Sequence, residues 1–390
     1  MSRFRPPLVT APLPPLHLAS ALAGAAAAFA RLDQALAGHP LAPAFLYRAR
    51  LEAVRRMAAV DGQLIDPWHL AAVIEGLRLR MDPALRIIER GDILEKARFA
   101  LSLHQWLVEP DGQQESEIQR AAARLTQRPA AEPPLLAAAA GLRRWLAAGE
   151  TRPPMRAALT GFWRQCGLLR LPVPLTGAAA LGAGQSWDEA AWLPAFLQAL
   201  ECEAADSLAL LLTMERAWIA ARQASAGRRK DSHVSAAIDL LAAAPLLSAA
   251  TLARSLGLAR KSALRILEAL QAAAIVIEVT HRSKRRLFGL AGLAPLRERV
   301  RPPYRPVPGR RPGRPRADFE PEAAELAPPP LPPLSPLERR QFDYAALDAA
   351  MAHLDAVLRD ARIALRSLAI SPEATGRTEA ADPAETAPGC

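Results

Sequence analysis

Apolar residues recur at helical spacing through most of the first 227 residues. The segments FLYRARLEAVRRMAAVDG, DPWHLAAVIEGLRLR, DILEKARFALSLHQWLVEPDG and PPLLAAAAGLRRWLAAGE each place apolar side chains three or four positions apart. This spacing predicts four amphipathic helices. Asp66 and Pro67 are the expected N-cap and first residue of the second helix. We therefore predict a helical domain over residues 41–227, with most of its large apolar side chains in the core.

The last part of that domain holds the longest apolar pattern. An irregular segment, LRLPVPLTGAAALGAGQ, is followed by SWDEAAWLPAFLQALECEAADSLALLLTMERAWIAARQ. We expect two helices in this second stretch, with Pro194 early in the first. Residues 1–40 are rich in Pro and Ala, and we assign them to a separate N-terminal segment. Their apolar run, LASALAGAAAAFA, follows no basic region and is too short for a membrane span, so we expect neither a signal peptide nor a membrane anchor.

A different pattern occupies residues 228–300. HVSAAIDLLAAAP and SAATLARSLG predict two helices, with Ser248 as the N-cap of the second. Gly257 then supplies the left-handed conformation that lets the chain leave a helix sharply. ARKSALRILEALQAAA predicts a third helix that shares an apolar face with the second. Two such helices joined by a short turn are typical of a helix-turn-helix.

Two strands follow the third helix. IVIEVT and RLFGL are rich in β-branched and aromatic residues, and the basic turn HRSKRR joins them. A hairpin with a basic loop, directly after a helix-turn-helix, predicts a winged helix. The predicted fold class is therefore mainly α, with an N-terminal helical domain, a C-terminal winged helix-turn-helix, a Pro-rich linker and a terminal amphipathic helix.

The formal net charge of +10 is concentrated in one block. From Arg228 to Arg316 the chain has 19 Lys and Arg residues against 5 Asp and Glu, so the rest of the chain is slightly acidic. A basic block indicates a polyanionic partner, and DNA, RNA and an acidic membrane are the candidates.

The third helix carries the best candidates for contact with DNA. Arg260 and Lys261 lie in its first turn, where they can approach the major groove, and Ser262 and Arg265 lie on nearby faces. Arginine pairs bidentately with guanine, whereas Ser262 is expected to contact phosphate. Contact with the backbone or minor groove is expected from the wing residues Arg282, Lys284, Arg285 and Arg286. The alternative is that this module binds a protein, because some winged helices bind no DNA.

Residues 301–336 form a basic, Pro-rich linker. Its run GRRPGRPR resembles the AT-hook, whose core Arg-Gly-Arg-Pro lies in the A·T minor groove, although Pro312 stands in place of the first core arginine. The alternative is a solvated linker, which would still attract phosphates. The linker residues assigned to DNA contact are Arg310, Arg311, Arg314 and Arg316.

The sequence pattern predicts an amphipathic helix over residues 337–370 and a disordered tail over residues 371–390. Apolar residues in the helix alternate spacings of three and four, which is the heptad pattern of a coiled coil. Two alternatives are open: a homodimer through residues 344–368, or a helix that docks on its own chain. The heptad positions are Tyr344, Leu347, Met351, Leu354, Leu358, Ala361, Leu365 and Leu368.

The order of these segments resembles an uncharacterised proteobacterial family that is well represented in rhizobia and often plasmid-borne. Its members join a domain of unknown function to a C-terminal helix-turn-helix domain. The resemblance covers roughly Phe45 to Arg316 and rests on RMAAVDG, LPVPLTG, FLQALECEAAD, RRKDSH, EALQAAAIVIEVTHRSKRRLFGL and GRRPGRP. It implies DNA binding.

A remoter resemblance is to the Fic proteins, which often join a helical nucleotidyl-transfer core to a winged helix. LRLPVPLTG with SWDEAAWLPAFLQAL is similar to the end of that core, and Asp61 in AAVDG stands where many Fic proteins have an inhibitory glutamate. No histidine is followed by Gly-Asn-Gly, so the catalytic base and the phosphate nest of that loop are absent. A Fic-derived nucleotidyltransferase is therefore the disfavoured alternative.

No motif for a metal, a cofactor or another catalytic chemistry is present in the sequence, and the three cysteines are far apart. We therefore expect a non-enzymatic, cytoplasmic, nucleoid-associated transcriptional regulator that binds double-stranded DNA and no cofactor. The alternative is a protein-interaction or plasmid-maintenance protein whose winged helix binds a partner.

Overall fold

The computed structural model is mainly helical, as predicted, with twelve α-helices and three short strands in the part of the chain that it describes. The chain divides into two compact units, Met1–Leu337 and Glu338–Cys390. The described residues are 16–77, 87–127, 129, 132–225, 233–280, 285–295, 332 and 345–369.

The first unit holds eleven of these helices and all three of these strands. Its first eight helices are α1 (Leu16–Leu36), α2 (Ala42–Val60), α3 (Pro67–Ile74), α4 (Ile87–Val108), α5 (Gly112–Thr126), α6 (Pro134–Ala147), α7 (Arg152–Gln165) and α8 (Glu189–Ala224). The elements that follow are α9 (Val234–Ala243), β1 (Leu247–Ser248), α10 (Ala249–Leu256), α11 (Arg260–Ala272), β2 (Val276–Glu278) and β3 (Leu287–Leu290).

Helices α2, α3, α4 and α6 confirm the four helices predicted first. The predicted cap of α3 is also confirmed, because Asp66 Oδ1 accepts a hydrogen bond of 2.6 Å from the Trp68 amide. The end predicted for α3 is wrong, since the helix stops at Ile74 rather than continuing to residue 80. Gly76 adopts a φ of +64°, and the Leu77 amide bonds back to the Ala72 carbonyl, which closes the helix.

Three helices were not predicted. The turn Pro-Asp-Gly ends α4 and also begins the next helix. The side chain of Asp111 accepts a hydrogen bond from the Gln114 amide, and the Gln114 side chain accepts one from the Asp111 amide. This capping box starts α5. Helix α7 tolerates two prolines because they lie in its first turn, where the backbone N–H groups have no partner within the helix.

Helix α1 falls within residues 1–40, which the sequence pattern assigned to a separate segment. Its buried side chains include Phe29, Leu32 and Leu36, and the helix packs along α8. The Phe29 ring meets the Trp163 ring edge-on at 5.2 Å. The alanine-rich apolar run is therefore part of the helical core.

The prediction of two helices over residues 189–224 is wrong. Helix α8 is continuous through 36 residues, and Asp188 caps its start by accepting from the Ala191 amide at 3.2 Å. Pro194 lies in its second turn, and no Gly or Pro follows before Ala224 to interrupt the backbone ladder. The long helix gives α1, α2, α6 and α9 a common surface to pack on.

One apolar cluster runs from Ala25 in α1 to Leu290 in β3. Trp163 and Trp192 lie fully inside it, and each donates its indole N–H to a backbone carbonyl. Leu241, Leu252 and Leu267, from the segment predicted to be a separate domain, belong to the same cluster. The elements on the two sides of residues 226–232 therefore share a core.

The three strands form one antiparallel sheet in the order β1-β3-β2. Leu247 pairs with Phe288, and Val276 pairs with Leu290. Strands β2 and β3 were predicted, and their antiparallel pairing confirms the predicted hairpin. Strand β1 was not predicted, because two residues show no periodicity.

The second unit contains α12 (Ala345–Ala369), which confirms the predicted terminal helix. Leu354, Val357, Leu358 and Ile363 are exposed on this helix. The 3₁₀ turn Ala178–Leu181 in the first unit completes the regular structure of the described ranges.

Candidate nucleic-acid interface

The sharp turn between α10 and α11 is built as the sequence predicted. Ser248 caps α10 by accepting from the Thr251 amide at 3.1 Å. Gly257 adopts a φ of +64°, and the Leu258 amide donates to the Ala253 carbonyl at 2.8 Å. A residue with a side chain would be strained in this left-handed conformation, so glycine allows only three residues, 257–259, to join α10 to α11.

Helix α11 has a buried face and an exposed face. Ala263, Leu267 and Leu270 are buried, and they lie at positions three or four apart along the helix. Their burial against α10 and the sheet sets the rotation of α11. The opposite side of the helix therefore faces solvent.

The exposed side of α11 carries the predicted cations. Arg260, Lys261, Ser262 and Arg265 are all exposed, and we call these four residues the basic face. No ion pair joins the three cations to a carboxylate among the residues described. Glu268, the acidic residue of α11, is paired with Arg286 instead. The charge of the basic face is therefore available to a partner.

The two described arginines of the hairpin differ in their surroundings. Arg285 is exposed and adopts a φ of +54°, in the left-handed region. Arg286 instead donates to Glu268 Oε1 at 2.9 Å and to Gln271 Oε1 at 3.0 Å, and its guanidinium lies 4.9 Å from the centre of the Phe288 ring. Arg286 thus fixes the hairpin to α11, a role that sequence reasoning did not assign to it.

Six of the predicted contact residues lie outside the described ranges. They are Arg282, Lys284, Arg310, Arg311, Arg314 and Arg316. Their assignment stays a prediction.

A buried arginine fixes the end of α9 to the N-terminal helices. Arg48 of α2 donates to the carbonyls of Ala242 at 2.6 Å, Leu241 at 3.2 Å and Ala244 at 3.1 Å. It also donates to the Leu293 carbonyl at 3.2 Å, after β3. These carbonyls at the helix end carry partial negative charge and have no partner within α9. Burial lowers the pKa of Arg48 to about 10, so the side chain is still charged at neutral pH.

A carboxylate makes the second attachment. Oε2 of Glu75, directly after α3, accepts from the Ser248 amide at 3.0 Å and from the Thr251 hydroxyl at 2.7 Å. It therefore caps the start of α10. Burial raises the pKa of Glu75, against the opposing effect of these hydrogen bonds.

Two further contacts complete what we call the joint, which is defined by Arg48, Trp68, Glu75, Asp239 and their partners. Asp239 of α9 accepts from Trp218 Nε1 at 2.8 Å and from Arg222 Nη2 at 2.8 Å on α8. Trp68 of α3 lies in an apolar cluster with Leu246, Val279 and Leu287. The joint holds α9, α10 and the sheet against the N-terminal helices.

Asp61 stands at the position compared with the Fic inhibitory glutamate, and its partners are structural. Its carboxylate accepts from Arg152 at 2.7 Å and from Arg156 at 2.6 Å, and the Arg156 side chain is buried. This ion pair links the end of α2 to the first turns of α7. Sequence reasoning had identified neither arginine as its partner.

Within the described ranges, no group of three His, Cys, Asp or Glu side chains is placed to hold a metal ion. Over the same residues, no helix combines the length and apolar character that crossing a bilayer requires. The sequence matches no protein-family model and no curated protein.

Proposed function

We propose that the chain is a DNA-binding transcriptional regulator that reads duplex DNA with a winged helix-turn-helix formed by α9 to β3. The observation that carries the proposal is the basic face. Three cations with no carboxylate partner among the described residues project from a helix that follows a left-handed turn. In helix-turn-helix proteins the corresponding helix enters the major groove with its N-terminal residues towards the bases.

The element order supports this proposal. A helix, a short strand, two helices and a hairpin follow one another, and the first strand pairs with the last in a three-stranded antiparallel sheet. A winged helix typically has this order of elements, which supports the proposal. Arg260 and Lys261 add their charges to the positive end of the α11 dipole, which favours phosphate and the electronegative edge of guanine.

The test compares two triple variants of the full-length protein. Arg260→Ala, Lys261→Ala and Arg265→Ala together remove the cations of the basic face. Arg124→Ala, Arg164→Ala and Arg216→Ala remove three exposed arginines from α5, α7 and α8, and serve as the control. Fluorescence anisotropy with labelled genomic fragments measures affinity, and circular dichroism checks that both variants fold.

We expect the first variant to lose at least about 100-fold in affinity and the control to stay within about 3-fold, because each lost base or phosphate contact weakens binding by about 1–3 kcal/mol. If about six basic groups meet phosphates, the logarithm of the binding constant falls with log salt at a slope near −5, and the first variant shows a slope about 2.7 shallower. Equal affinities of the two variants would contradict the proposal. Tight binding to a protein with little salt dependence would favour the interaction module.

We further propose that α12 pairs two copies of the chain. Leu354 and Leu358 occupy heptad positions, and they are 50% and 46% exposed within a single chain. Pairing would cover them and present two reading helices to a two-part site. Sedimentation of the double variant Leu354→Glu and Leu358→Glu should give a monomer, whereas Asp355→Ala with Arg359→Ala should leave a dimer. A monomeric parent protein would contradict this pairing.

The other parts of the proposal follow from DNA binding and from the resemblance to the rhizobial family. We assign no catalytic activity and no cofactor, and we place the protein in the cytoplasm with the nucleoid. Labelled-nucleotide transfer by the purified protein would contradict the first assignment and revive the Fic-derived alternative.

A further inference from the structure

Two rows of residues with different character flank the apolar heptad positions of α12. In the usual heptad lettering the apolar positions are a and d, the g row directly precedes each a position, and the e row directly follows each d position. The g row is apolar and consists of Ala350, Val357 and Ala364. The e row is charged and consists of Asp348, Asp355 and Arg362. All of these positions lie within α12, so one edge of its apolar stripe is bordered by apolar residues and the other by charges.

Members of both rows are accessible within a single chain. Ala350 and Asp355 are exposed, and Val357 is 49% exposed. No ion pair joins Asp355 to a cation among the residues that the structure describes. The two rows can therefore take part in the contact when a second helix covers Leu354 and Leu358.

The orientation of that second helix decides which rows meet. In a parallel pair, the g row of one helix lies beside the e row of the other. Val357 would then lie beside Arg362 of the second copy, and Asp355 would face an alanine. In an antiparallel pair, e lies beside e and g lies beside g, so apolar residues meet apolar residues and charges meet charges. Because covering a charge with an apolar side chain removes it from water without a partner, this pattern favours the antiparallel orientation.

One antiparallel register also pairs opposite charges. When Leu358 of one copy shares a layer with Ala361 of the other, Asp355 lies beside Arg362 of the second copy, and the two-fold symmetry repeats this contact. A shift of one heptad in one direction would place Asp355 against Asp355. The same shift in the other direction would place Arg362 against Arg362. Like charges across an interface are repulsive, so the charged row selects a single register.

We propose that α12 binds a second copy of this chain in the antiparallel orientation, with Asp355 of each copy beside Arg362 of the other. This inference rests on the proposed pairing through α12 and adds its orientation and register. The g rows of the two copies would be in contact, which covers Val357. At a rise of about 1.5 Å per residue, the two copies of Met351 would lie about 26 Å apart along the helix axis, so the two chains would enter the pair at opposite ends.

The test is a charge-reversal series, with the dimer Kd of the full-length protein measured by sedimentation equilibrium. Asp355→Arg would put arginine against arginine at both symmetric contacts. The double variant Asp355→Arg with Arg362→Asp would restore opposite charges there. Asp360→Arg makes the same change of charge at an exposed position away from the e and g rows and serves as the control. Circular dichroism checks that the variants keep their helix content.

We expect Asp355→Arg to raise the dimer Kd about 10-fold, because two attractive contacts become repulsive. The double variant and the control should both stay within about 3-fold of the parent protein. In a parallel pair the reversed charges would face only apolar positions, and the double variant would show no recovery. A dimeric parent without this recovery would overturn the orientation alone, whereas a monomeric parent would overturn the pairing through α12 as well.

Discussion

The joint and the basic face use the same residue type in opposite ways. Arg48 is buried and donates four hydrogen bonds to the end of α9, whereas Arg260 and Arg265 are exposed and have no carboxylate partner among the described residues. The guanidinium of Arg48 is engaged in holding two parts of the fold together. The cations of α11 remain able to meet an external anion. The abundance of arginine in the sequence therefore does not show which arginines can contact a partner. That depends on whether each side chain is exposed or is already bonded within the fold.

Substitutions in the two regions should therefore change different properties of the protein. Changes at the joint should alter stability first and DNA affinity only as a consequence. Changes on the basic face should alter affinity and leave stability within about 0.5 kcal/mol, because exposed side chains contribute little to folding.

The largest effect is expected from Arg48→Met. The substitution removes the donor from four carbonyls, three of them in buried hydrogen bonds, and we expect the free energy of unfolding to fall by about 4 kcal/mol. Urea denaturation followed by circular dichroism measures it. Arg124→Met, at an exposed position of α5, is the control and should change it by less than about 0.5 kcal/mol. Similar values for the two variants would show that Arg48 does not hold the joint.

Acid should also separate the two regions, because the basic face contains no histidine or carboxyl group. Next to the joint, His104 of α4 is buried against Tyr47, and burial lowers its pKa from 6.5 to about 4, with a smaller contribution from Arg50. The unfolded chain therefore binds this proton first as the pH falls. The resulting loss of stability between pH 6.5 and pH 4 is about 3 kcal/mol.

The substitution His104→Phe removes that titration. Denaturation of the variant at several pH values should show a decline that is smaller by about 3 kcal/mol over the same interval. Leu107→Phe, a change on the same helix at a residue that does not titrate, should keep the parent profile. Parallel profiles for the parent and His104→Phe would contradict the expectation.

A smaller pH effect of opposite sign is expected from Glu75. Burial raises its pKa above 4.5, so the folded protein holds this proton to higher pH than the unfolded chain does. The free energy of unfolding therefore falls as the pH rises through this interval. Glu75→Gln keeps an oxygen for Ser248 and Thr251 but removes the ionisation. Relative to the parent protein, the variant should become steadily more stable as the pH rises, and a constant difference would argue against this role.

The smallest effect is expected from Arg286. Like the residues of the joint it is paired, and like those of the basic face it is accessible to solvent. Its ion pair with Glu268 is partly exposed, so Arg286→Gln should lower the free energy of unfolding by about 0.5–1 kcal/mol. Because its charge is already paired, DNA affinity should fall less than with Arg260→Ala. Fluorescence anisotropy compares the DNA affinities of the Arg286→Gln and Arg260→Ala variants. An equal loss of affinity would place Arg286 in contact with DNA.

The features predictable from the sequence were those set by local chemistry. Ser248 as a cap, Gly257 as a left-handed turn and Arg260 at the start of a helix each depend on a few neighbouring residues, and each lies where predicted. The exposure of the basic face agrees with the apolar face that the third helix was predicted to share with the second, of which Leu267 and Leu270 are buried. Local patterns contain this information because helix caps, turns and faces are decided within one or two turns of the chain.

The joint could not be predicted, because its contacts join distant residues. Arg48 and Ala242 are 194 positions apart, and Glu75 and Ser248 are 173 positions apart. In the sequence, Arg48 looks like any arginine of an amphipathic helix, and Glu75 looks like a surface acid. The continuity of α8 was also missed, since the apolar pattern was divided into two helices although no Gly or Pro after Pro194 interrupts the backbone ladder.

The shared core that extends from α1 to β3 has a consequence for how such a protein can be divided or recombined. Leu241 and Phe288 are covered in part by helices from the other end of the chain, so a fragment beginning near residue 228 would present bare apolar surface and four orphaned carbonyls to water. The segment from α9 to β3 therefore cannot be grafted onto another protein by itself. Any exchange would have to carry its supporting helices with it.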